Sequence, residues 1–264
     1  MNTFRLSLIN KLLKNINENH ADDPNYILSE YLLKNYSKID KINIYKIADE
    51  CFVSRSSVRR FCISIGYKNF ADFKKEFKQI DKKYSYFIKM HEDYDSSTEY
   101  AEWIAKQIKM VTLEVDNNIK FSDYSEIASM IDIAKNVVLL SSYSSNKTLL
   151  EFQRPLVLNN KIIDVMSDNY FNVDNLLKLK EDDLLMVIST SGYYAKSILN
   201  LTENIKATKV LITASRDKAF VNQYNKIYFL SDYDHTSEKS IVGKYGLNYF
   251  FDVLYHEYYS KYGK

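Results

Sequence analysis

The chain has 264 residues, 46% apolar and 27% charged, with a formal net charge of +2, four histidines, two cysteines and two prolines. That length and apolar share are enough for two ordinary domains with real cores. His20, His91, His235 and His256 lack ligand spacing, and neither C-x-x-C nor H-x-x-x-H occurs, which argues against a structural metal. No apolar run approaches a membrane span, and the N-terminal stretch has no signal-peptide core, so a cytoplasmic protein with reduced thiols and no cofactor is expected.

The charge is unevenly placed. Residues 1–80 carry 14 Lys/Arg against 9 Asp/Glu, and residues 81–264 carry 22 against 25. A basic front and a slightly acidic back suit a nucleic-acid contact confined to the N-terminal part.

In chain order, Leu6, Ile9, Leu13 and Ile16 mark a first amphipathic helix. Asp23 and Pro24 read as the cap and first turn of a second, carrying Leu28, Tyr31 and Leu32 inward. Ile44, Ile47, Ala48 and Cys51 then form one apolar stripe, and Val58, Phe61, Cys62 and Ile65 repeat it on a further helix. Only Phe52-Val53-Ser54 separates the two, and Ser54 is a good N-cap, which is the spacing of a helix-turn-helix. The face left over carries Ser54, Arg55, Ser56, Ser57, Arg59 and Arg60 near the helix start, with Lys68 beyond its end. Arginine forks, serine hydroxyls and a helix N-terminus suit a major groove and its phosphates. The periodicity alone fits a solvated basic face equally well. After Gly66, Asn69 caps a helix with Phe70, Phe73 and Phe77 on one side and Lys74, Lys75 and Lys78 left for solvent or phosphate, closing a first domain at residues 1–80.

Residues 81–97 have no clean period and read as a connection. A long helix is expected from Thr98 to about Asn118 and a shorter one over Tyr124–Ala134, their apolar residues serving core or dimer interface. From Asn136 the pattern changes to short, fully apolar runs: Val137–Leu140, Ile162–Met166, Leu184–Ile188, Val210–Thr213 and Ile227–Leu230. Such runs, separated by stretches 145–158, 169–180, 191–206 and 216–224 that can each hold a crossover helix, predict a doubly wound parallel α/β domain over residues 98–264. Pro155 is expected to break or kink the first crossover, and Glu238–Lys261 to form a terminal helix. Two predicted strand ends are serine-rich, Ser141 to Asn146 and Ser189 to Tyr194. Hydroxyls beside helix-start amides make a phosphate site, and serines there also serve as plain N-caps.

The run I-A-D-E-x-x-V-S-x-S-S-V-x-R-F-x-x-x-x-G-Y-x-x-F-x-x-F-K, Ile47 to Lys74, closely resembles the N-terminal domain of RpiR-type transcriptional regulators. Phe52 departs from it, standing where a small turn residue is usual. The two serine loops resemble those of the SIS (sugar isomerase) domain that usually follows such a reader. Ser189, Ser191 and Gly192 match its S-x-S-G-E-T loop, whereas Tyr193 and Tyr194 replace the acid and the threonine; in the G-x-G-x-S loop only Ser145 matches. The resemblance implies a homodimeric regulator of carbohydrate genes, binding an inverted-repeat operator in double-stranded DNA and controlled by a phosphosugar-like effector. The effector residues would be Ser141, Ser144, Ser145, Ser189, Thr190, Ser191, Gly192 and Tyr194, in an altered or lost pocket. The competing readings are a phosphosugar isomerase-type enzyme, for which no well-placed base accompanies the loops, and a non-sensing dimeric DNA-binding protein.

Overall fold

The computed structural model describes residues 4–77, 96–167, 173–233 and 241–263. The chain divides into two compact units, Met1–Ser85 and Tyr86–Lys264. The expected connection at 81–97 lies outside the described residues except for its last two positions.

The N-terminal unit is all-helical: α1 (Phe4–Glu18), α2 (Pro24–Lys34), a 3-10 turn (Tyr36–Lys41), α3 (Ile44–Glu50), α4 (Arg55–Ser64) and α5 (Phe70–Phe77). Asp23 caps α2 by accepting from the Asn25 amide at 2.6 Å, and Asn69 caps α5 by accepting from the Asp72 amide at 2.9 Å, as their positions suggest. Both expected stripes enter one core: Ile47, Ala48, Cys51, Val58, Phe61, Cys62 and Ile65 are buried, with Ile44 packed at the edge. Burial pushes the Cys51 thiol up to about 11 and the Cys62 thiol to about 12, so both stay protonated and inert near neutral pH. The inward face of α1 differs from expectation. Leu8 and Leu12 are fully buried, while Leu13 is 40% exposed. One turn on, Asn15 donates to the buried Ser29 hydroxyl at 3.0 Å, so the buried row ends in a polar clasp that an apolar-only count overlooks.

The second unit opens with α6 (Ser97–Asn118) and α7 (Phe121–Ile133). It continues as β1 (Val137–Ser141), α8 (Tyr143–Leu158), β2 (Asp164–Ser167), α9 (Val173–Leu177), β3 (Leu184–Ile188), α10 (Tyr193–Ser197), α11 (Leu199–Thr202), β4 (Thr208–Thr213), β5 (Lys226–Phe229) and α12 (Leu247–Tyr262). The five strands are all parallel in the order β2-β1-β3-β4-β5, a doubly wound sheet. Alternate strand residues feed opposite layers. Leu139, Met186, Ile188, Val210 and Ile212 pack with α6, α7, α8 and α12, whereas Leu140, Leu185, Val187 and Leu211 meet α9, α10 and Phe220.

The two layers are unequal, and here three expectations need correction. Of the anticipated crossover helices only α8 is long; 169–180 yields the five-residue α9, 191–206 splits into α10 and α11, and 216–224 holds a single 3-10 turn, Lys218–Phe220. Residues 168–172 lie outside the described residues. Second, Pro155 does not end α8, which runs on to Leu158. Its missing N–H removes one bond, and the buried side chains of Phe152 and Leu156 flank it on the core side. Third, the terminal helix starts later than expected. It is preceded by a π-turn at Val242–Gly246, and Leu247, Phe250, Phe251, Leu254 and Tyr258 form its inward row. Residues 234–240 lie outside the described residues.

Candidate nucleic-acid interface and effector loops

The turn of the helix-turn-helix is built by hydrogen bonds that close α3. The Val53 amide reaches back to the Ala48 carbonyl at 3.0 Å and the Phe52 amide to that of Asp49 at 3.3 Å, a Schellman closure that puts Phe52 at φ +52°. Ser54 follows in extended conformation and caps α4, its hydroxyl accepting from the Ser57 amide at 3.1 Å. The same hydroxyl lies 2.7 Å from that of Ser56 and 2.9 Å from that of Ser57. At the far end Gly66, φ +90°, closes α4 the same way, with Tyr67 bonded to Cys62 and Gly66 to Ile63, each at 2.9 Å. Lys11 donates to the Ile65 carbonyl at 2.8 Å, placing a cation at the negative end of the helix.

Ser54, Arg55, Ser56, Arg59, Arg60 and Lys68 are exposed and Ser57 is half-buried, so α4 presents a positive, hydroxyl-bearing N-terminal half to solvent. Arg60 donates to the Ser57 hydroxyl at 3.4 Å, and the Lys68 amide donates to Asp72 at 3.0 Å. Lys74 is not left for phosphate. Its ammonium donates to the Ile42 carbonyl at 2.8 Å and lies 6.0 Å from the Phe70 ring centroid, a structural role. One residue that the pattern passed over belongs here: the ring of Tyr45, on α3, lies 4.9 Å from the Arg55 guanidinium carbon. Its only sequence signal is a large aromatic on the polar side of a short helix.

In the second unit Ser141 pairs in register with Ile188, so the loops after β1 and β3 leave from the carboxyl ends of neighbouring strands. The chain turns in opposite directions from these two strands, and that is where open α/β sheets place ligands. Ser141 is buried and donates to the Ser142 carbonyl at 2.9 Å; Ser145 is buried at the start of α8, and Ser144 is exposed. Ser189 is buried, its hydroxyl accepting from the Ala195 amide at 3.1 Å, while the Thr213 hydroxyl donates to its carbonyl at 2.7 Å. Gly192 adopts φ +77°, and a Cβ there would stand 2.6 Å from that of Ser215, so only glycine fits. Thr190 and Ser191 are half-buried and Tyr193 is 61% exposed. The Tyr194 ring lies in the apolar cluster with Leu140, Val187 and Phe220, so it contributes core where the resembled loop would offer a short hydroxyl. Gly243 of the π-turn, unsuspected from sequence, packs so close to this loop that a Cβ there would stand 3.0 Å from the Thr190 hydroxyl, tighter than an ordinary contact.

Elsewhere a cavity of about 130 Å³ lies between α8 and α12, lined by Thr148, Phe152, Phe251, Asp252 and Tyr255 among others, and shares no residue with the serine loops. Among the described residues, no cluster of His, Cys, Asp and Glu could hold a metal ion, and no helix is long and apolar enough to cross a membrane.

Residues 6–83 match the family model of the helix-turn-helix domain, rpiR family. An uncharacterised HTH-type transcriptional regulator of Haemophilus influenzae is 23% identical over 195 residues, covering 71% of this chain and 68% of that protein. Among curated relatives of this kind the match spans from 59% to 68% of their own length. The Vibrio vulnificus NanR protein, solved in complex with ManNAc-6P, has the same fold at 15% identity, a TM-score of 0.54 and coverage of 97% of this chain and 92% of that one. The sugar isomerase domain of an RpiR transcription factor from Sphaerobacter thermophilus matches at 13% identity and a TM-score of 0.51, covering 61% of this chain and 90% of that one. Residues 6–83 are thus identified as an rpiR-family helix-turn-helix domain, the chain as a whole is similar to HTH-type transcriptional regulators, and its α/β unit shares the fold of a sugar isomerase domain.

Proposed function

We propose that this regulator acts in the cytoplasm as a homodimer, without catalytic activity, on an inverted-repeat operator, and that a phosphosugar-like compound at the loops of the SIS-like domain controls it. Residues 1–80 are the reader, 81–97 the connection and 98–264 the sensing and pairing domain. The observation that carries the DNA contact is the exposed N-terminal half of α4, where Arg55, Arg59 and Arg60 surround a serine-capped helix start. Ser54, Ser56, Ser57 and Lys68 complete the proposed contact set. A dimer presents two such helices, so half-site centres should fall about 34 Å apart or a multiple of it.

The effector assignment is supported by the buried Ser141, Ser145 and Ser189 and by Gly192 at neighbouring strand ends, with Ser144, Thr190 and Ser191 around them. A NanR protein of the same fold was solved with ManNAc-6P, which favours an N-acetylated or plain sugar phosphate as the class to screen. The Tyr194 ring packs in the apolar core, which supports an altered pocket in which it adds no hydroxyl to a phosphate cradle. That the Tyr194 ring lies in the apolar core, where the resembled loop has a threonine hydroxyl, favours a second reading, a dimeric DNA-binding protein that senses nothing.

A fluorescence-anisotropy titration at stated salt decides among these, using a duplex that the full-length protein selects from a random-sequence pool, with and without a panel of sugar phosphates. The expected result is sequence-specific binding that one compound shifts by about 5- to 150-fold. Specific binding that no compound shifts leaves the non-sensing reading. Equal affinity for selected and random duplexes overturns the regulator reading and makes an isomerase assay on the same panel decisive.

A further inference from the structure

We infer that Tyr45 is a positioning residue for DNA recognition: its ring holds the Arg55 guanidinium at the mouth of α4 and so fixes how that arginine meets a base edge. The inference rests on the reading of α4 as the recognition helix.

Arg55 is the first residue of α4, so no preceding helical turn braces its stem. Left to itself, a long arginine at such a position samples many rotamers and loses that freedom on binding. Tyr45 is the second residue of α3 and 59% exposed. It is absent from the cluster that Ile47, Ala48, Val58 and Phe61 build, so packing does not account for a large aromatic at this place. What it does contact is Arg55, with the guanidinium carbon 4.9 Å from the ring centroid. That is within the range of a cation–π interaction.

The contact spans the turn and ties the two helices of the motif at their solvent-facing edge. Its chemistry suits the task. A carboxylate would hold the guanidinium as well but would cancel its charge and occupy its N–H donors. An aromatic face attracts the cation through its quadrupole, leaves the positive charge in place, and leaves the donors at the edge of the guanidinium plane available. Those donors are what a bidentate contact to a guanine edge requires. Nearby Arg60 is braced differently, through the Ser57 hydroxyl at 3.4 Å, which leaves Arg55 as the arginine positioned from the other helix.

The test is a double-mutant cycle on the full-length protein, with the wild type, Tyr45→Phe, Tyr45→Leu, Arg55→Ala and Tyr45→Leu/Arg55→Ala titrated against the selected duplex and a random duplex. Tyr45→Phe keeps the ring and should bind as the wild type does. Tyr45→Leu should weaken the selected duplex by about two- to fivefold, leave random DNA unchanged, and cost nothing further once Arg55 is alanine. Alongside, the Arg55 side-chain proton resonances of the free protein should lose their ring-current shift in Tyr45→Leu and keep it in Tyr45→Phe. Losses that multiply in the double variant, an equal loss on random DNA, or a Tyr45→Phe variant as weak as Tyr45→Leu would each overturn the proposal while leaving the regulator reading standing. A wild type that prefers no sequence would remove that reading, and this inference with it.

Discussion

Three helices in this chain end in the same hydrogen-bonded closure, and the residue at its left-handed position differs each time. Gly66 stands at φ +90°, Asn160 at +59° and Phe52 at +52°. Glycine pays no steric cost there and asparagine little, but for phenylalanine the left-handed region costs about 1–2 kcal/mol. Phe52 gains nothing back from packing, because its ring is 97% exposed. Replacing it with glycine should therefore stabilise the reader by about 1 kcal/mol, after allowing for glycine's larger unfolded-state entropy. A urea titration followed by far-UV circular dichroism would register this as a raised midpoint; an unchanged or lowered one would show that the ring is doing something in the folded protein. At this scale the sequence was informative wherever a short-range rule applied. Ser54, Asp23 and Asn69 cap as their positions suggest. It was silent on Tyr45 and Arg55, because whether two side chains meet across a turn depends on an interhelical angle that neither helix encodes alone.

At the scale of elements, the strands were legible because a two-sided burial leaves an unbroken apolar run. β3 occupies the very run Leu184–Ile188, and the others shift by a few residues. The crossovers were less so. A stretch such as 216–224 is long enough for a helix, yet length permits a helix without requiring one, and Phe220 and Tyr224 cover the sheet there from a 3-10 turn and the segment after it. The first helix was misjudged for a related reason: two adjacent rows of α1 are both apolar, and only the tertiary partner Ser29 decides between them. The sheet also has a polar clasp. Asp183, just before β3, accepts from the Asn136 amide at 3.0 Å, from the Asn136 side chain at 2.7 Å and from the Lys180 amide at 2.8 Å. Burial alone would raise its carboxyl, but these three donors, with Lys135 nearby, outweigh it and hold the group below the usual carboxylate range. Since the folded value is the lower one, the clasp contributes fully above the unfolded value of about 3.9 and is lost as pH falls through the folded value. Asp183→Ala should destabilise the α/β unit by about 1–3 kcal/mol at pH 7, and the gap to wild type should close as pH falls below the unfolded value. Urea midpoints measured across that range would test it, and a gap independent of pH would mean the carboxylate charge is immaterial.

The whole molecule holds separate cores. No residue of the reader's cluster, centred on Phe61 and Phe73, belongs to either layer of the α/β unit. Each unit should accordingly unfold in its own transition, with Phe52→Gly moving one and Asp183→Ala the other. A single transition shifted by both substitutions would show that the units stand or fall together. The bias in charge noted at the outset also acquires a location, since exposed Arg55, Arg59 and Arg60 all lie on one short helix. Binding that depends on them should weaken steeply with salt.

The π-turn before α12 lies close to two regions of the α/β unit that are far apart in sequence. A methyl group on Gly243 would meet the Thr190 hydroxyl at 3.0 Å, and one on Gly246 would meet Val111 at 2.8 Å. Thr190 stands in the loop proposed to bind the effector, and Val111 in the long helix that follows the reader in the chain. Bare backbone on both flanks lets the Thr190 and Val111 side chains pack directly against the turn. A single added carbon at either glycine would therefore press on one of these two regions, so the turn tolerates a side chain on neither flank.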